Sequence, residues 1–306
     1  MNSFLSGIAR LNFGARNYSL GWAIALAALA SALALPSGAL SQSAGSAEPG
    51  QAGGTRQEGK QPSTIATQQE SPTANPGRPT VSTPATLTPV GYLQFESGVL
   101  AAWHSPGVSE EAGLNEVVKY SLSHRIELLA ASGPYVHSDI QPANGTGGVS
   151  LGIQGVFWQG EGTRPTLAAS YSRQVSGGDA PDLDVGSATN SVMVLASADV
   201  RGFHYDTNYL FNEVYGDAGV RRAQFGQTLS LSHGMGQRFG ISAELWDFSQ
   251  PFLRSHAVGN LWAVNCNAKK NLVFDAGFNR GLTSTSTRWE LMAGFTYLLP
   301  HKLRAY

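Results

Sequence analysis

The segment that most constrains the fold lies near the end of the sequence, where residues 288–299 read RWELMAGFTYLL. Its alternate side chains separate into two rows. The apolar and aromatic row contains Trp289, Leu291, Ala293, Phe295 and Tyr297. Over residues 288–297 the other row is polar apart from Met292 and contains Arg288, Glu290, Gly294 and Thr296. Because successive side chains of a β-strand point to opposite faces, this pattern predicts a two-faced strand. Such a strand suits a soluble β-sandwich or a membrane barrel whose apolar face meets lipid.

The same alternation recurs from residue 91 to the end of the chain. The runs number about twelve and are each about ten residues long, which is the length of a tilted membrane-spanning strand. Short connections are expected near His124, Gly160, Arg201, Gly236 and Lys270. Most of the others should be longer, including a polar loop over residues 105–113. An even strand count with both termini on one side predicts an all-β fold, a transmembrane antiparallel up-and-down β-barrel.

Residues 1–41 are expected to be a signal peptide. Arg10 and Arg16 precede an apolar run over residues 20–35, and small residues follow the run at the expected cleavage site. The alternative is that the run stays as a single membrane anchor, although about 16 apolar residues fall short of the usual span. Cleavage is the favoured interpretation, and it implies export from the cytoplasm.

Residues 42–89 have a different composition from the rest of the chain. They are rich in Pro, Ser, Thr, Gln, Ala and Gly, and they contain no aromatic residue. Because such a segment cannot bury enough apolar surface to offset the entropy lost on ordering, we expect a disordered periplasmic linker. Residues 90–306 then form the barrel, and the expected location is the bacterial outer membrane.

Composition also bears on partners and cofactors. The 306 residues carry a net charge of -1, which gives no basic surface for a nucleic acid, so no nucleic-acid partner is expected. Cys266 is the single cysteine and cannot form an internal disulfide. No His or Asp neighbours it at a metal-ligand spacing, and no cofactor or metal is expected. The expected partners are outer-membrane lipid, the barrel insertion machinery and a small-molecule solute.

Several stretches from residue 89 onward carry a family resemblance. They are PVGYLQFESG, VKYSLSHRIELLAASGPY, GGVSLGIQGVFW, RPTLAASYSRQVSGG, NLVFDAGFNRGL and the closing WELMAGFTYLL. Together they resemble the family named for the MetA pathway of phenol degradation, whose members are described as outer-membrane transporters. The resemblance implies an outer-membrane β-barrel that moves small hydrophobic or aromatic compounds, and it brings no catalytic residues.

If the apolar rows face lipid, the charged rows face the interior of the barrel. The residues expected to line this lumen are Glu96, Lys119, Arg125, Glu127, Asp199, His204, Asp206, Glu244, Asp275, Arg288 and Glu290. These residues could line a solute pathway, or they could pair across strands and fill a narrow barrel. Pairing is favoured for most of them, because side chains occupy much of the bore in a barrel of this size.

A hydrolase and a calcium site are weighed against simpler explanations. The hydrolase would use His204, Asp206, His233 and either Ser230 or Ser232. No nucleophile-elbow motif accompanies these residues, so no enzyme is predicted. The calcium site would use Asp179, Asp182 and Asp184, but a solvated acidic loop explains the same residues and is favoured.

The sequence therefore predicts a channel or transporter for small solutes in the outer membrane. Two alternatives stay open. One is a structural or lipid-modifying outer-membrane barrel with a sealed lumen, and the other is a soluble glycan-binding β-sandwich. They differ in what the apolar rows contact and in whether the polar rows surround a pathway.

Overall fold

The computed structural model of the chain describes residues 72–141, 143–178, 189–215 and 219–303. The expected signal peptide, residues 42–71 of the expected linker, and Asp179, Asp182 and Asp184 lie outside the described residues. Within the described part of the chain, no helix is long and apolar enough to cross a membrane.

The described residues form thirteen β-strands. Their bounds are β1 (Leu93–Ser105), β2 (Val108–Ser123), β3 (Ile126–Ser138), β4 (Asn144–Gly145), β5 (Val149–Trp158), β6 (Thr166–Ser176), β7 (Asn190–Val200), β8 (Phe203–Tyr215), β9 (Arg221–Met235), β10 (Phe239–Gln250), β11 (Ser255–Lys269), β12 (Leu272–Gly281) and β13 (Trp289–Leu298). β4 is a two-residue strand in the connection after β3. The other twelve strands build the barrel.

Every barrel strand pairs with two antiparallel neighbours, which closes the sheet. Strands consecutive in the chain are neighbours, with β3 pairing directly to β5 across the short β4. The first and last strands close the barrel, because Gln94 pairs with Leu298 and Trp103 pairs with Trp289. The predicted antiparallel barrel of about twelve strands is therefore confirmed. The β-sandwich alternative is wrong, because a single closed sheet leaves no second sheet for packing.

The two-faced strand at residues 288–299 has the predicted faces. Trp289, Leu291 and Phe295 are exposed on the outside of the barrel, whereas Thr296 and Leu298 in the other row are buried. Large apolar side chains are exposed in the same alternating manner around the other strands. The outer surface is thus apolar, and the inward rows carry most of the buried polar groups.

The five predicted short connections all lie at one end of the barrel, which we call the turn end. They are the connections near His124, Gly160, Arg201, Gly236 and Lys270. The first barrel strand begins at this end and the last one finishes there. The opposite end, called the loop end, carries the two longest connections, between β3 and β5 and between β6 and β7. The expectation that every short turn lies at one end holds for these five connections only, because the two-residue turn after β1 and the four-residue turn after β10 lie at the loop end.

The polar loop expected over residues 105–113 is wrong. β1 and β2 continue as a hairpin, and only Pro106 and Gly107 separate them. Gly107 adopts a φ of 88°, a left-handed conformation that glycine tolerates and that lets the chain reverse in two residues. The charged residues of this stretch, including Glu110 and Glu111, are therefore strand residues at the loop end.

Residues 72–89, which we call the inner segment, lie inside the barrel. Ser82 and Ala85 have no exposed surface, and hydrogen bonds join the segment to side chains of the wall. The prediction of a disordered linker is wrong for these residues. Composition indicates only that the segment cannot build a core of its own, whereas here the wall supplies the hydrogen-bond partners.

Candidate functional site

The lumen of the barrel, filled by the inner segment, is the candidate functional site. The prolines of the segment explain why it is irregular. Pro72, Pro76, Pro79, Pro84 and Pro89 have no backbone N–H and cannot donate in a strand ladder. The segment is irregular, with no strand between residues 72 and 92. Its remaining amides and carbonyls therefore need side-chain partners from the wall. The inward rows of the strands supply them.

The segment begins at the turn end of the barrel. The amide of Ala74 donates to the carbonyl of Lys270 in the turn between β11 and β12, at 2.9 Å. Next to it, the amide of Asn75 donates to Gln94 Oε1 at 2.8 Å, and Gln94 Nε2 donates back to the Asn75 carbonyl at 2.7 Å. Gln94 is fully buried. Its side-chain amide thus satisfies both backbone groups of Asn75.

A cluster of four charges lies next along the segment. Lys119 Nζ is 2.6 Å from Glu96 Oε1, and the Gly77 amide donates to the same oxygen at 3.1 Å. Arg78, which belongs to the segment, lies 3.5 Å from Asp275. These charges are buried or nearly so, and pairing offsets part of the cost of removing them from water. Glu96 and Asp275 are thus two wall carboxylates that contact the segment.

The wall leaves space for the guanidinium of Arg78. Gly98 on β1 and Gly294 on β13 pair with each other across the closing seam of the barrel. A Cβ atom on either glycine would collide with the Arg78 guanidinium. The two glycines therefore form a niche at the seam, and a larger residue would force Arg78 to move.

Glu244 binds the middle of the segment. Its carboxylate accepts from the amides of Val81 at 2.8 Å and Ser82 at 2.7 Å, and from the Ser82 hydroxyl at 2.6 Å. The Ser82 hydroxyl also lies 2.8 Å from that of Thr228. Hydrogen bonds to a charged acceptor are stronger than those between neutral groups. This is the densest set of contacts between wall and segment.

Uncharged side chains hold the next residues of the segment. Asn208 Oδ1 accepts from the Thr83 amide at 2.6 Å, and Asn208 Nδ2 donates to the Thr83 carbonyl at 2.9 Å. Gln154 donates to the Pro84 carbonyl, and the Ala85 amide donates to Ser197. The apolar contacts here are small, with Ala85 packed in a cluster that contains Val156, Ala168 and Leu195. Polar contacts therefore dominate the binding of the segment.

Glu127 holds the last turn of the segment before β1. Its Oε2 accepts from the Thr88 amide at 2.8 Å and from the Thr88 hydroxyl at 2.5 Å. The hydroxyl of Ser121, on the neighbouring strand β2, donates to the same oxygen at 2.9 Å. The segment is thus fixed at both of its ends and in its middle by Glu96, Asp275, Glu244 and Glu127.

An aromatic cluster lies further along β10 toward the loop end. Trp246 and Phe248 follow Glu244 in the inward row, are buried, and form a cluster with Ala257 and the partly buried Leu210. Trp246 Nε1 donates to Asn279 at 2.9 Å. Glycines of the neighbouring strands lie beside both rings, where a Cβ would collide. The interior is therefore polar around the segment and partly aromatic beyond it.

The eleven residues expected in the lumen occupy three kinds of position. Glu96, Lys119, Glu127, Glu244 and Asp275 are buried inside the barrel. Asp206 and Glu290 are partly buried; the Ser197 hydroxyl donates to Asp206, and Asn279 donates to Glu290 at 2.8 Å. His204 is partly buried near the turn end and contacts Asp199 and Asp206. Arg125, Asp199 and Arg288 are exposed at the ends of the barrel, contrary to the expectation that they lie inside.

Those three residues are exposed because they lie at or beyond the ends of strands. Arg125 occupies the turn between β2 and β3, Asp199 is the next-to-last residue of β7, and Arg288 precedes the first residue of β13. Side chains alternate between the two faces only within a strand. The pattern therefore wrongly placed these three residues, which lie at strand ends, inside the lumen. Sequence reasoning also missed Gln94, Gln154 and Asn208, which are uncharged. The alternation of each strand indicates that these side chains point inward. Their partner could not be predicted, because residues 72–89 were expected to form part of a periplasmic linker.

The residues considered for a hydrolase do not form a catalytic triad. His233 Nδ1 lies 2.8 Å from the Gly202 carbonyl, and its ring contacts Phe203. His204 contacts two aspartates, whereas the Ser197 hydroxyl donates to Asp206. Among the described residues, no group of three metal-ligating side chains could hold an ion. Because both histidines have partners other than a serine hydroxyl, this geometry offers no activated nucleophile.

Comparisons with known proteins bear on the fold. No family model matches the sequence, and no curated protein matches it. A solved COG4313 outer-membrane channel from Pseudomonas putida F1 is similar, with a TM-score of 0.51, 14% identity, and coverage of 74% of this chain and 99% of that one. The NanC porin has a TM-score of 0.48 and 9% identity, covering 68% of this chain and 100% of that one. The KdgM porin has a TM-score of 0.45 and 10% identity, covering 67% and 98%. The chain thus has the barrel fold of a solved outer-membrane channel.

Proposed function

We propose that this chain is an outer-membrane channel for small solutes and that the inner segment is a removable plug. The observation that carries the proposal is how the segment is held. It contributes no strand to the sheet, and it binds the wall through side-chain hydrogen bonds that water could replace. A wall built only for rigidity would gain more from apolar packing. Removal of the segment would leave a lumen lined by polar groups.

The outer surface supports a location in the outer membrane. Its strands expose an apolar row toward the surroundings, as in Leu245, Leu291 and Phe295. Soluble monomers rarely expose so continuous an apolar surface, whereas a membrane barrel needs it. In this proposal the turn end faces the periplasm, the loop end faces outward, and residues 42–71 form a periplasmic linker after signal cleavage. The partners are outer-membrane lipid and the barrel insertion machinery.

The family resemblance extends the proposal to hydrophobic or aromatic compounds. Trp246 and Phe248 support this narrower substrate class, because they place aromatic surface in the interior beyond the segment. Solutes arriving from the loop end would meet these rings before they reach Glu244. Loss of aromatic-solute uptake in a Trp246→Ala barrel that still conducts ions would support this narrower class. Unchanged uptake would oppose it.

A sealed barrel is the second candidate, and a specific observation favours it. The segment fills the lumen, and Lys119 pairs with Glu96 while Arg78 pairs with Asp275. If the segment never leaves, these pairs are purely structural, and the protein is a structural or lipid-modifying barrel. The structural form of this alternative is the better supported one, because His204 and His233 contact aspartates and a backbone carbonyl rather than a serine hydroxyl.

Conductance with a reversible lock tests the channel against the sealed barrel. The hydroxyl oxygens of Ser82 and Thr228 are 2.8 Å apart, so cysteines at these positions are expected to reach each other for a disulfide. In a Cys266→Ser background, the double variant Ser82→Cys and Thr228→Cys should be closed when oxidised and conduct in planar bilayers when reduced. The single cysteine variants are the controls and should not respond to reductant.

Two results would oppose this proposal. A chain lacking residues 72–89 that folds, as judged by heat-modifiable migration on gels, but neither conducts ions nor admits solutes into liposomes would favour the sealed barrel. Conduction by the oxidised lock at the level of the reduced protein would show that the segment is not the plug.

A further inference from the structure

We infer that the channel selects cations, and that the four carboxylates which hold the inner segment are its selectivity-determining groups. This inference rests on the proposed channel function. The four residues are Glu96, Glu127, Glu244 and Asp275. Each contacts the segment, and each comes from a different strand of the wall.

The buried charges of the barrel have one predominant sign. Among the described residues, the buried carboxylates are Glu96, Glu111, Glu127, Glu244 and Asp275. Lys119 is the buried lysine, and Arg78 of the segment is the nearly buried arginine beside Asp275. Arginines near the loop end, such as Arg222 and Arg288, are exposed. The interior is therefore acidic, although the net charge of the whole chain is only -1.

The groups that the segment presents to these carboxylates are all donors. They are the amides of Gly77, Val81, Ser82 and Thr88, the hydroxyls of Ser82 and Thr88, and the guanidinium of Arg78. If the segment leaves, the carboxylates lose those donors together. An incoming solute with ammonium or guanidinium N–H groups can replace both the hydrogen bonds and the positive charge. An anionic solute cannot replace the positive charge, and the carboxylates repel it.

Departure of the segment also makes the lumen more negative. Arg78 is the one charged residue between positions 72 and 89. When it leaves, Asp275 loses its 3.5 Å partner, whereas Lys119 stays on the wall beside Glu96. The open state is therefore more acidic than the closed state. Opening and cation selectivity follow from the same displacement.

The expected selectivity can be estimated from the potential inside the lumen. Protein walls of low dielectric constant focus the field of fixed charges, and clefts of one sign reach potentials of several thermal units. A potential of one thermal unit raises the cation concentration and lowers the anion concentration by equal factors, giving a cation-to-anion ratio of about 7. Salt in the lumen screens this field, so the ratio should fall as ionic strength rises.

Ion selectivity in planar bilayers tests the inference, with potassium chloride as the probe. The chain lacking residues 72–89 provides the open lumen without any need for the disulfide lock. Its potassium-to-chloride permeability ratio should lie well above 1, at about 7 for a potential of one thermal unit. In the same background, Glu244→Gln combined with Glu127→Gln should lower the ratio by about twofold or more. Glutamine keeps the shape of both side chains while removing their charges.

Glu213→Gln is the matched control. Glu213 lies at the loop end of β8, contacts the exposed Arg221 at 3.7 Å, and also accepts a hydrogen bond from Asn190 rather than from the segment. This change should leave the permeability ratio as it was. A conducting barrel that prefers chloride, or a double variant as cation-selective as its parent, would overturn the inference while leaving the channel proposal intact. A folded barrel with no conductance would instead refute the channel itself.

Discussion

Replacing Ser82 by alanine should loosen the inner segment by an amount that the structure allows us to work out. The Ser82 hydroxyl donates to the Glu244 carboxylate at 2.6 Å and lies 2.8 Å from the Thr228 hydroxyl. A hydrogen bond to a charged group contributes about 1.5–3 kcal/mol, and one between neutral groups contributes about 1 kcal/mol. The amides of Val81 and Ser82 still donate to Glu244 in the variant. The net loss should therefore be about 2–4 kcal/mol.

That loss translates into a change in how often the segment leaves the wall. Each 1.4 kcal/mol corresponds to about a tenfold change in an equilibrium constant, so the detached fraction should rise by about 30- to 700-fold. Hydrogen exchange of the Val81, Ser82 and Thr83 amides, followed by mass spectrometry on the purified barrel, reports this fraction. Exchange should accelerate by the same factor, provided that reattachment is fast compared with exchange.

A substitution elsewhere on the segment provides the control. Thr86 is exposed, and its hydroxyl lies 3.3 Å from Asn75 Nδ2 within the segment, away from Glu244. Thr86→Ala should change exchange at Ser82 by less than about threefold, which corresponds to a fraction of one hydrogen bond. If Ser82→Ala left the exchange of these amides unchanged, or no faster than in Thr86→Ala, the hydrogen bonds to Glu244 would not be what retains the segment.

Two further substitutions test the seam and the charge cluster. Gly98→Val should expel the Arg78 guanidinium from its niche and make residues 72–89 sensitive to protease, whereas a protease-resistant segment in this variant would contradict the niche. Lys119→Met should lower the free energy of unfolding of the barrel by about 3–5 kcal/mol, because Glu96 would be left as a buried charge without its cationic partner. Unfolding monitored by heat-modifiable migration measures this loss, and recovery in Lys119→Met with Glu96→Gln would confirm its electrostatic origin.

The fold was largely predictable, because strand alternation is a local property. Residues 288–299 separate into two rows by position alone, and the structure has the same rows on β13. The short turns near His124 and Lys270 were also predictable, since they interrupt alternation on both sides. The loop over residues 105–113 was not, because polar residues such as Glu110 can occupy a strand that projects beyond the apolar region. Composition indicates solvent contact there and does not distinguish loop from strand.

The candidate site was predictable only in part. Strand alternation predicts that Glu96, Glu127 and Glu244 point inward. It does not predict which residues they contact. They contact residues as far as 163 positions away along the chain, in a segment whose composition indicates disorder. No local pattern encodes that pairing. It arises because prolines deny the segment a strand ladder and a polar lumen offers its amides alternative acceptors.

The sequence by itself determined the all-β class, the two faces of each strand and the apolar outer surface. Successive side chains of a strand point to opposite faces, so the direction of each depends only on its position along the strand. Only the tertiary structure decided what fills the lumen. Closure of β1 onto β13 creates an enclosed space lined by buried carboxylates, and such groups need donors. The inner segment provides those donors at Gly77, Ser82 and Thr88, and so an expected linker becomes the plug of the proposed channel.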